Sequence, residues 1–414
     1  MASYVNKMIA GLDIGNGYVK GSFVSNIGEA TLFDIPSAVA YVTSTHDIKA
    51  TEFDAPDIMA DIYNQADLSF DSPLINDSTR RIFGRRGLQS GMPVEEFDVY
   101  SHISKARQPL SYILTLGCIA CKSIQDFWNK NHALPNLPIK TVVSEIALAL
   151  PIGEYKKYRK EYADGYKSNK HIVEMHNFEQ SITVEIIFED VQVIAEGASA
   201  HYAINIRGVD AMNAMLTDMR RIGLEISDDI TADDILAATS TVGVDIGEGT
   251  VNFPVFQDGK FNPDASVTFD KGYGAVLNAA LERLQDQGHP FESRKKLQDF
   301  LNSTPTKLSQ RRYKLVQDVV DEEITAFVNE VGMQFSKIMT RVGSYAEVIY
   351  VYGGGAGPIK NELYPLLVDK AKSYGNGEAL YPILYLDSRY SRFLNRDGLL
   401  AMAQQIEKLQ RSKK

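Results

Sequence analysis

The chain has little cysteine and no long apolar run. Its 414 residues include two cysteines, too few for a disulfide-stabilised scaffold or a four-cysteine zinc site. Cys118 and Cys121 share a helical spacing with apolar neighbours, which predicts core positions rather than a metal site. No apolar segment approaches the roughly 18 residues of a membrane-spanning helix, and residues 1–6 lack the basic and apolar regions of a signal peptide. We therefore expect a cytoplasmic protein without a membrane partner.

The chain also lacks an excess of positive charge. Its 43 basic and 53 acidic residues give a net charge of −10, which excludes a protein that coats nucleic acid by bulk charge. Any link to DNA would run through a local patch or an adaptor. In the predicted helix 308–342, basic residues precede acidic ones, an asymmetry typical of either a solvated face or head-to-tail contacts. The length and ordinary composition predict two or three folded domains.

A seven-residue segment occurs twice in related form. Residues 11–17 read Gly-Leu-Asp-Ile-Gly-Asn-Gly, and residues 243–249 read Gly-Val-Asp-Ile-Gly-Glu-Gly, at a constant offset of 232 positions. Each copy follows a short apolar run and precedes a β-like run, which predicts a β-hairpin with a glycine-rich bend. The long spacing predicts two related domains that present the same loop.

The residue types in these loops suit a bound phosphate. Glycines let the backbone approach a ligand closely, and successive N–H groups form a concave anion site. Asp13 and Asp245 would place a carboxylate beside the phosphate, where Mg²⁺ is usually held through water. Lys20 can neutralise a phosphate as a point charge, whereas the second copy has Asn252 at that position. One such loop is common in ordinary hairpins. The prediction of a phosphate site therefore depends on the presence of two copies.

A third glycine element follows the β-like run 347–351. Gly353, Gly354, Gly355 and Gly357 lie there within five residues, and a helical pattern follows over 359–373. A strand, a glycine loop and a helix in this order are typical of nucleotide binding, because the backbone can lie flat against a base or sugar. The spacing is neither that of a Rossmann fingerprint nor that of a P-loop. The alternative is a tight turn, although a turn does not need four glycines.

Together, the three glycine motifs resemble the phosphate-1, phosphate-2 and adenosine motifs of the actin, sugar kinase and DnaK-chaperone superfamily. Within it, the chain resembles the bacterial actin-like proteins of plasmid segregation, the ParM/StbA type. The segments that are similar to this group's connecting motifs are 148–155, 193–200 (where Ala195 replaces a proline) and 392–399. The resemblance extends from residue 13 to about 403 and is weak over 30–100 and 285–345.

Alternating strand and helix patterns independently predict an α/β fold with helices packed on mixed sheets. The strand-like runs lie at 8–25, 139–150, 181–194, 241–257, 346–352 and 381–386, and the helical patterns at 104–130, 197–222, 272–287, 308–342, 360–373 and 390–411. The resemblance implies an actin-like fold of two lobes, each with a mixed β-sheet flanked by helices, and a nucleotide in the cleft between them. The expected lobes are 1–152 plus 389–414, with a small insertion at about 30–100, and 153–388, with an insertion at about 288–345.

The resemblance further implies a site for ATP, or GTP, with Mg²⁺. Asp13 and Asp245 would hold the metal through its waters and take part in hydrolysis. Glu154 would orient the attacking water; the alternative is a first-turn helix acid favoured by the macrodipole. Glu196 would approach the ribose or the metal; the alternative is a helix N-terminal carboxylate. Residues 271–274 would open a helix beside the nucleotide; the alternative is a plain strand-to-helix turn. The nucleotide contacts implied are Gly15, Asn16, Gly17, Lys20, Glu196, Gly247, Glu248, Gly249, Thr250, Lys271, Gly272, Gly274, Gly353, Gly354 and Gly355.

As a function, the resemblance implies an ATPase that polymerises into dynamic filaments and disassembles after hydrolysis. Its partners would be further copies of itself, joined head to tail, and a DNA-binding adaptor on a centromere-like plasmid site. Head-to-tail contacts that do not close into a ring produce filaments. The alternative is a monomeric small-molecule kinase of the same superfamily, for which we find no glycine-rich segment carrying a catalytic Asp. A chaperone-like ATPase or a cell-division relative is a third possibility.

Overall fold

A computed structural model describes residues 4–26, 30–42, 49–98, 103–343, 345–374, 381–386 and 388–412. The chain forms two compact units, Met1–Ala195 together with Asn395–Lys414, and Glu196–Leu394. Each unit has a hydrophobic core of its own. The predicted α/β class is confirmed, because both units combine a mixed sheet with helices.

The first unit is built on one large sheet. Its strands are β1 (Val5–Ile14), β2 (Tyr18–Ser25), β3 (Thr31–Pro36), β4 (Ala38–Tyr41), β5 (Asp67–Asp71), β6 (Arg81–Phe83), β7 (Val94–Glu96), β8 (Ile139–Leu150), β9 (His171–Met175), β10 (Ile182–Phe188) and β11 (Val191–Ala195). Its helices are α1 (Ala55–Ala60), α2 (Ile62–Gln65), α3 (Gly84–Gln89), α4 (Pro109–Asn131) and α5 (Ile152–Lys167), with short 3₁₀ helices at Glu52–Asp54 and Lys105–Arg107. The described strands pair in the order β3-β2-β1-β8-β10-β9-β5-β6-β4-β7, and β11 also pairs with β8.

Strand β8 is the centre of this sheet. It runs parallel to β1, β10 and β11, and its last eight residues are all buried, as expected for a strand covered on both faces. Helix α4 buries most of its residues in the same core, including the two cysteines, which are free. The predicted core position of Cys118 and Cys121 is therefore confirmed.

The second unit has a smaller sheet, which also contains both parallel and antiparallel strand pairs. Its strands are β12 (Thr241–Ile246), β13 (Val251–Phe253), β14 (Val255–Gln257), β15 (Lys260–Phe261), β16 (Val267–Phe269), β17 (Val348–Tyr352) and β18 (Ile383–Tyr385). Its helices are α6 (Ala198–Arg221), α7 (Ala232–Ala237), α8 (Tyr273–Asp286), α9 (Arg294–Leu301), α10 (Gln310–Val342), α11 (Ala356–Tyr374) and α12 (Ser388–Ser391). Strand β12 pairs antiparallel with β13 and β14 and parallel with β17, which in turn pairs with β18.

The final helix, α13 (Leu394–Arg411), returns to the first unit. A Cβ atom on Gly11 would overlap the backbone nitrogen of Leu400, so a glycine in β1 is what lets this helix approach the sheet. Farther along, the Ser144 hydroxyl donates a 3.0 Å hydrogen bond to Glu407. The C-terminal segment is thus packed and hydrogen-bonded onto strands β1 and β8.

The boundary between the units differs from the expected lobe boundary. Residues 153–195 were expected in lobe two, but β10 and β11 pair with β8 and so belong to the first unit. The segment 30–100, expected as a small insertion, contributes strands β3 to β7 to the large sheet. Similarly, α10 within the expected insertion 288–345 buries twelve residues, eleven of them in the second core. Local sequence patterns do not show which sheet or core a segment joins.

Candidate functional site

The first glycine loop joins β1 to β2 by a tight turn. The Gly15 amide donates to the Tyr18 carbonyl at 3.0 Å, and the strand register places Asp13 opposite Lys20. Asp13 is 6% exposed, and its carboxylate lies 3.9 Å from the Lys20 ammonium. A Cβ atom on Gly15 would lie 2.8 Å from the Tyr18 carbonyl oxygen, so the turn requires a glycine at its first position.

The second glycine loop has the same geometry between β12 and β13. The Gly247 amide donates to the Thr250 carbonyl at 2.9 Å, and Asp245, 5% exposed, lies opposite Asn252. A Cβ atom on Gly247 would lie 3.0 Å from the Thr250 carbonyl oxygen. All of these positions are offset by 232 residues from their counterparts in the first loop. The sequence repeat is therefore also a repeat of backbone structure, within each unit.

Distant side chains support the first loop. The Lys105 ammonium donates to the Ile14 carbonyl at 2.7 Å, and the Ser37 hydroxyl donates to the Gly15 carbonyl at 2.6 Å. The Ser37 amide also donates to the Gly17 carbonyl at 3.0 Å. Lys105 is only 5% exposed. The loop is thus held from several sides, which fixes the conformation of its backbone.

Glu154 lies in the first turn of α5, as its alternative interpretation predicted. The Ser104 hydroxyl donates a 2.5 Å hydrogen bond to its carboxylate, and the same hydroxyl accepts from the Ala106 amide at 3.2 Å. Ser104 precedes Lys105, which reaches the first loop. The structure therefore connects Glu154 to that loop through two adjacent residues that carried no motif in the sequence.

The third glycine element lies against the second loop. Parallel pairing of β12 with β17 places Asp245 opposite Tyr352, and the Gly355 amide donates to the Ile246 carbonyl at 2.8 Å. Gly353 has φ +99°, and a Cβ atom there would overlap the Ile246 carbonyl oxygen and lie 2.6 Å from an Asp245 carboxylate oxygen. Both motifs lie at the carboxyl ends of adjacent parallel strands, where α/β sheets bind ligands.

The segment that opens α8 also contacts the second loop. The Gly274 amide donates to the Glu248 carbonyl at 2.8 Å. This strand-to-helix turn is therefore hydrogen-bonded to the second glycine loop. The Lys271 ammonium bonds both carboxylate oxygens of Glu330 at 2.8 Å. The side chain of Glu248 lies 3.0 Å from the Arg294 guanidinium, a residue that also carried no motif in the sequence.

Glu196 and Asn252 belong to one hydrogen-bond network. The Asn252 amide group donates to the Glu196 carboxylate at 3.1 Å and to the Thr250 hydroxyl at 3.3 Å, and it accepts from Thr268 at 2.8 Å. Glu196 is 9% exposed and directly precedes Gly197, the N-cap of α6. This is the helix N-terminal position that was the alternative for Glu196. The network joins it to the second glycine loop.

The predicted site residues therefore form one group on each unit. The first unit carries Asp13, Gly15, Asn16, Gly17, Lys20 and Glu154, and the second carries Glu196, Asp245, Gly247, Glu248, Gly249, Thr250, Lys271, Gly272, Gly274, Gly353, Gly354 and Gly355. Within the described ranges, no three His, Cys, Asp or Glu side chains cluster to hold a metal directly. Single buried carboxylates suit Mg²⁺, which keeps several waters and is usually held by one or two carboxylates and phosphate oxygens. No helix in the described part of the chain has the length and hydropathy needed to cross a membrane.

Two family models match the chain. The model of the N-terminal domain of actin-like proteins matches residues 11–198, and the C-terminal model of the archaeal MreB-like actin homologue matches residues 243–364. The two matches begin at the two glycine-loop repeats, at Gly11 and Gly243. No curated protein sequence matches the chain.

Solved structures of actin-like proteins are similar over nearly the whole chain. The actin-like protein Alp7A has 15% identity and a TM-score of 0.63, with 99% of both chains covered. Bacillus thuringiensis ParM with ATP has 15% identity and a TM-score of 0.57, with 97% of this chain and 99% of that one covered. A non-polymerisable quadruple mutant of pCBH ParM has 15% identity and a TM-score of 0.57, with 96% and 99% covered. The expected actin-like fold is confirmed.

Proposed function

We propose that this chain, a member of the actin-like proteins, binds ATP with Mg²⁺ and hydrolyses it. The observation that supports this most strongly is the structural repeat of the Asp-x-Gly-x-Gly turn. Each unit presents a buried aspartate, a glycine turn closed by the same amide-to-carbonyl bond, and a parallel strand beside it. Each such loop can bind phosphate oxygens through its successive backbone amides.

The role proposed for each residue follows from its chemistry. Asp13 and Asp245 would hold a hydrated Mg²⁺ through its waters, and the bound ion would neutralise charge at the phosphates. Lys20 adds a positive charge at the first loop, and the loop amides bind phosphate oxygens. Glu154, positioned by its 2.5 Å hydrogen bond from Ser104, orients the attacking water. The third glycine element accepts the nucleoside beside Asp245.

The second part of the proposal is nucleotide-dependent assembly into filaments. This part of the proposal is supported by the family resemblance. One structurally similar protein is a ParM mutant described as non-polymerisable, so polymerisation is the property to test. A cytoplasmic location, plasmid DNA as cargo and a DNA-bound adaptor are further parts of the same proposal. The chain's net charge of −10 suits an indirect link to DNA.

The test combines 90° light scattering with phosphate release from Mg-ATP. We expect scattering to rise after ATP is added, to stay flat without nucleotide, and to fall as phosphate accumulates. Phosphate release without scattering at any protein concentration would contradict the filament part and favour the kinase alternative. No phosphate release at all would contradict the whole proposal.

A further inference from the structure

Two large apolar side chains stand almost entirely in solvent. Phe53 is 95% exposed and Leu308 is 98% exposed, whereas the other exposed large apolar side chains among the described residues range from 40% to 62%. Phe53 belongs to the first unit and Leu308 to the second. A single exposed apolar side chain is ordinary, so the surroundings of these two decide what they mean.

Phe53 is surrounded in sequence by negative charge. Residues 52–61 contain four acidic residues and no basic one. Three of the acidic side chains, Glu52, Asp54 and Asp57, are exposed, while the fourth, Asp61, forms an ion pair with a nearby arginine. We call Glu52, Phe53, Asp54 and Asp57 the acidic patch.

The acidic patch is held in a fixed conformation. The Asp54 carboxylate accepts bonds from the amide and the hydroxyl of Thr51, both at 2.8 Å, and these bonds lower the pKa of Asp54. The Ala50 amide donates to the Asn177 carbonyl at 2.7 Å, and α1 then buries Ile58 in the core. Because its flanks are anchored, Phe53 is presented to solvent by a structured segment.

Leu308 has surroundings of the opposite sign. Residues 300–317 contain four basic residues and no acidic one. Arg312 lies over the rings of Phe291 and Phe300, and the exposed basic side chains Lys307, Arg311 and Lys314 flank Leu308. We call Lys307, Leu308, Arg311 and Lys314 the basic patch.

The basic patch is also structured. The Thr306 amide donates to the Ser309 hydroxyl at 2.9 Å, which closes the turn that carries Leu308. Helix α10 begins at Gln310, so Arg311 and Lys314 lie in its first two turns. Each unit therefore presents one exposed apolar side chain on a structured segment, inside a patch of one charge, and the two charges are opposite.

We propose that the acidic patch of one copy binds the basic patch of a second copy, with Phe53 packing against Leu308 and the lysine stems. The inference rests on the proposed filament function and names its contact. A net charge of −10 per copy makes copies repel in general, so a basic patch is where an acidic patch can approach. Because the two patches are different surfaces, the contact is heterologous and leaves a free patch at each end for further copies.

The first test removes each apolar side chain separately. We expect Phe53→Ser and Leu308→Ser each to raise the critical concentration for Mg-ATP-dependent sedimentation by about tenfold, as for loss of an interface anchor. Ile206→Ser is the matched control, because Ile206 is also exposed, at 62%, and lies outside both patches. All three variants should bind nucleotide as the unmodified chain does.

The second test exchanges the charges. Glu52→Lys with Asp57→Lys, and separately Lys307→Glu with Lys314→Glu, should block assembly, and the four changes combined in one chain should restore it. Assembly of Phe53→Ser and Leu308→Ser at the unmodified concentration, or no recovery in a combined variant that still binds nucleotide, would overturn the patch contact alone. Failure of the unmodified chain to assemble would instead overturn the proposed filament function, and the patch contact with it.

Discussion

The two glycine loops share a turn but not the residues that support it. In both, an amide-to-carbonyl bond closes the bend after a buried aspartate. The first loop is then held by Lys105 and Ser37, which contribute hydrogen bonds from distant parts of the first unit. The second is held by the backbone of α8's first turn and by the third glycine element. The repeat thus preserves the glycine turn, whereas each unit stabilises it with its own residues.

The loops differ in charge as well. The residue opposite the aspartate is Lys20 in the first loop and Asn252 in the second. The uncharged Asn252 amide donates hydrogen bonds to the Glu196 carboxylate and the Thr250 hydroxyl. The first loop therefore supplies positive charge and the second supplies hydrogen-bonding geometry, so equivalent substitutions in the two loops should have different effects.

The largest expected effect comes from the two aspartates, which test what the loops share. In the proposed site, each of these carboxylates positions the metal at the transferred phosphate, so Asp13→Ala and Asp245→Ala should each lower the rate of ATP hydrolysis by about 1,000-fold. Steady-state phosphate release under saturating Mg-ATP measures this. Asp264→Ala, on an exposed turn, is the matched control. Unchanged hydrolysis in Asp245→Ala would refute the site assignment.

The second-largest expected effect is a difference between the units in how their stability depends on pH. In the second unit, burial lowers the pKa of His201 to about 4, where its ring stacks on Phe256. The unfolded chain protonates this residue near its usual pKa, so stability is lost as pH falls from about 6.5 to 4, by about 3 kcal/mol at the limit since each pKa unit is worth about 1.4 kcal/mol. Calorimetric unfolding should show this loss, and His201→Gln should reduce it.

The first unit should respond in the opposite direction. Burial, with the charge of Asp190 next in importance, raises the pKa of Glu145 to about 7. A raised pKa stabilises the fold below about pH 4.5, and this contribution is lost as pH rises through 7. Trp128, the single tryptophan of the chain, lies in α4 and reports on this unit by fluorescence. If Glu145→Gln left the pH dependence of this unit's unfolding unchanged, the attribution of that dependence to Glu145 would be wrong.

A smaller effect is expected at the third glycine element. Gly353→Ala should destabilise the second unit by about 2 kcal/mol, because a positive φ and contacts with the Ile246 carbonyl both oppose a side chain. Gly354→Ala is the matched control, since a Cβ atom there would meet nothing within 4 Å. Thermal unfolding midpoints of the two variants measure the difference. Equal midpoints would mean that the close approach at Gly353 is not required.

Much of the fold follows from local sequence patterns. The predicted run 139–150 coincides with β8, and the predicted helix 308–342 with α10, because both have long and regular apolar spacing. The short strands β3 to β7 were not predicted, since three to six residues carry little periodicity. Their place in the sheet depends on pairing with distant strands, as β5 does with β9.

In the candidate site, too, some residues could be predicted from local sequence and others could not. The glycine turns were predictable, because a turn closed over four residues leaves a local signature. Ser37, Lys105 and Arg294 were not, since they reach the loops across tens of positions or from another helix. Each is an ordinary residue type whose role exists only once the chain has folded. Sequence motifs therefore identified the two glycine turns, and the structure was needed to identify the residues that support them.

The smallest expected effect tests the charge difference between the loops directly. Lys20→Asn gives the first loop the residue of the second and should weaken Mg-ATP binding by about tenfold, the loss of one charge-assisted contact to phosphate. Its counterpart, Asn252→Lys, should not strengthen binding, because it breaks the bonds of Asn252 to Glu196 and Thr268. Titration with a fluorescent ATP analogue measures both. If Asn252→Lys compensated for Lys20→Asn in the double variant, the two loops would be interchangeable in charge, and the asymmetry argued for them would be wrong.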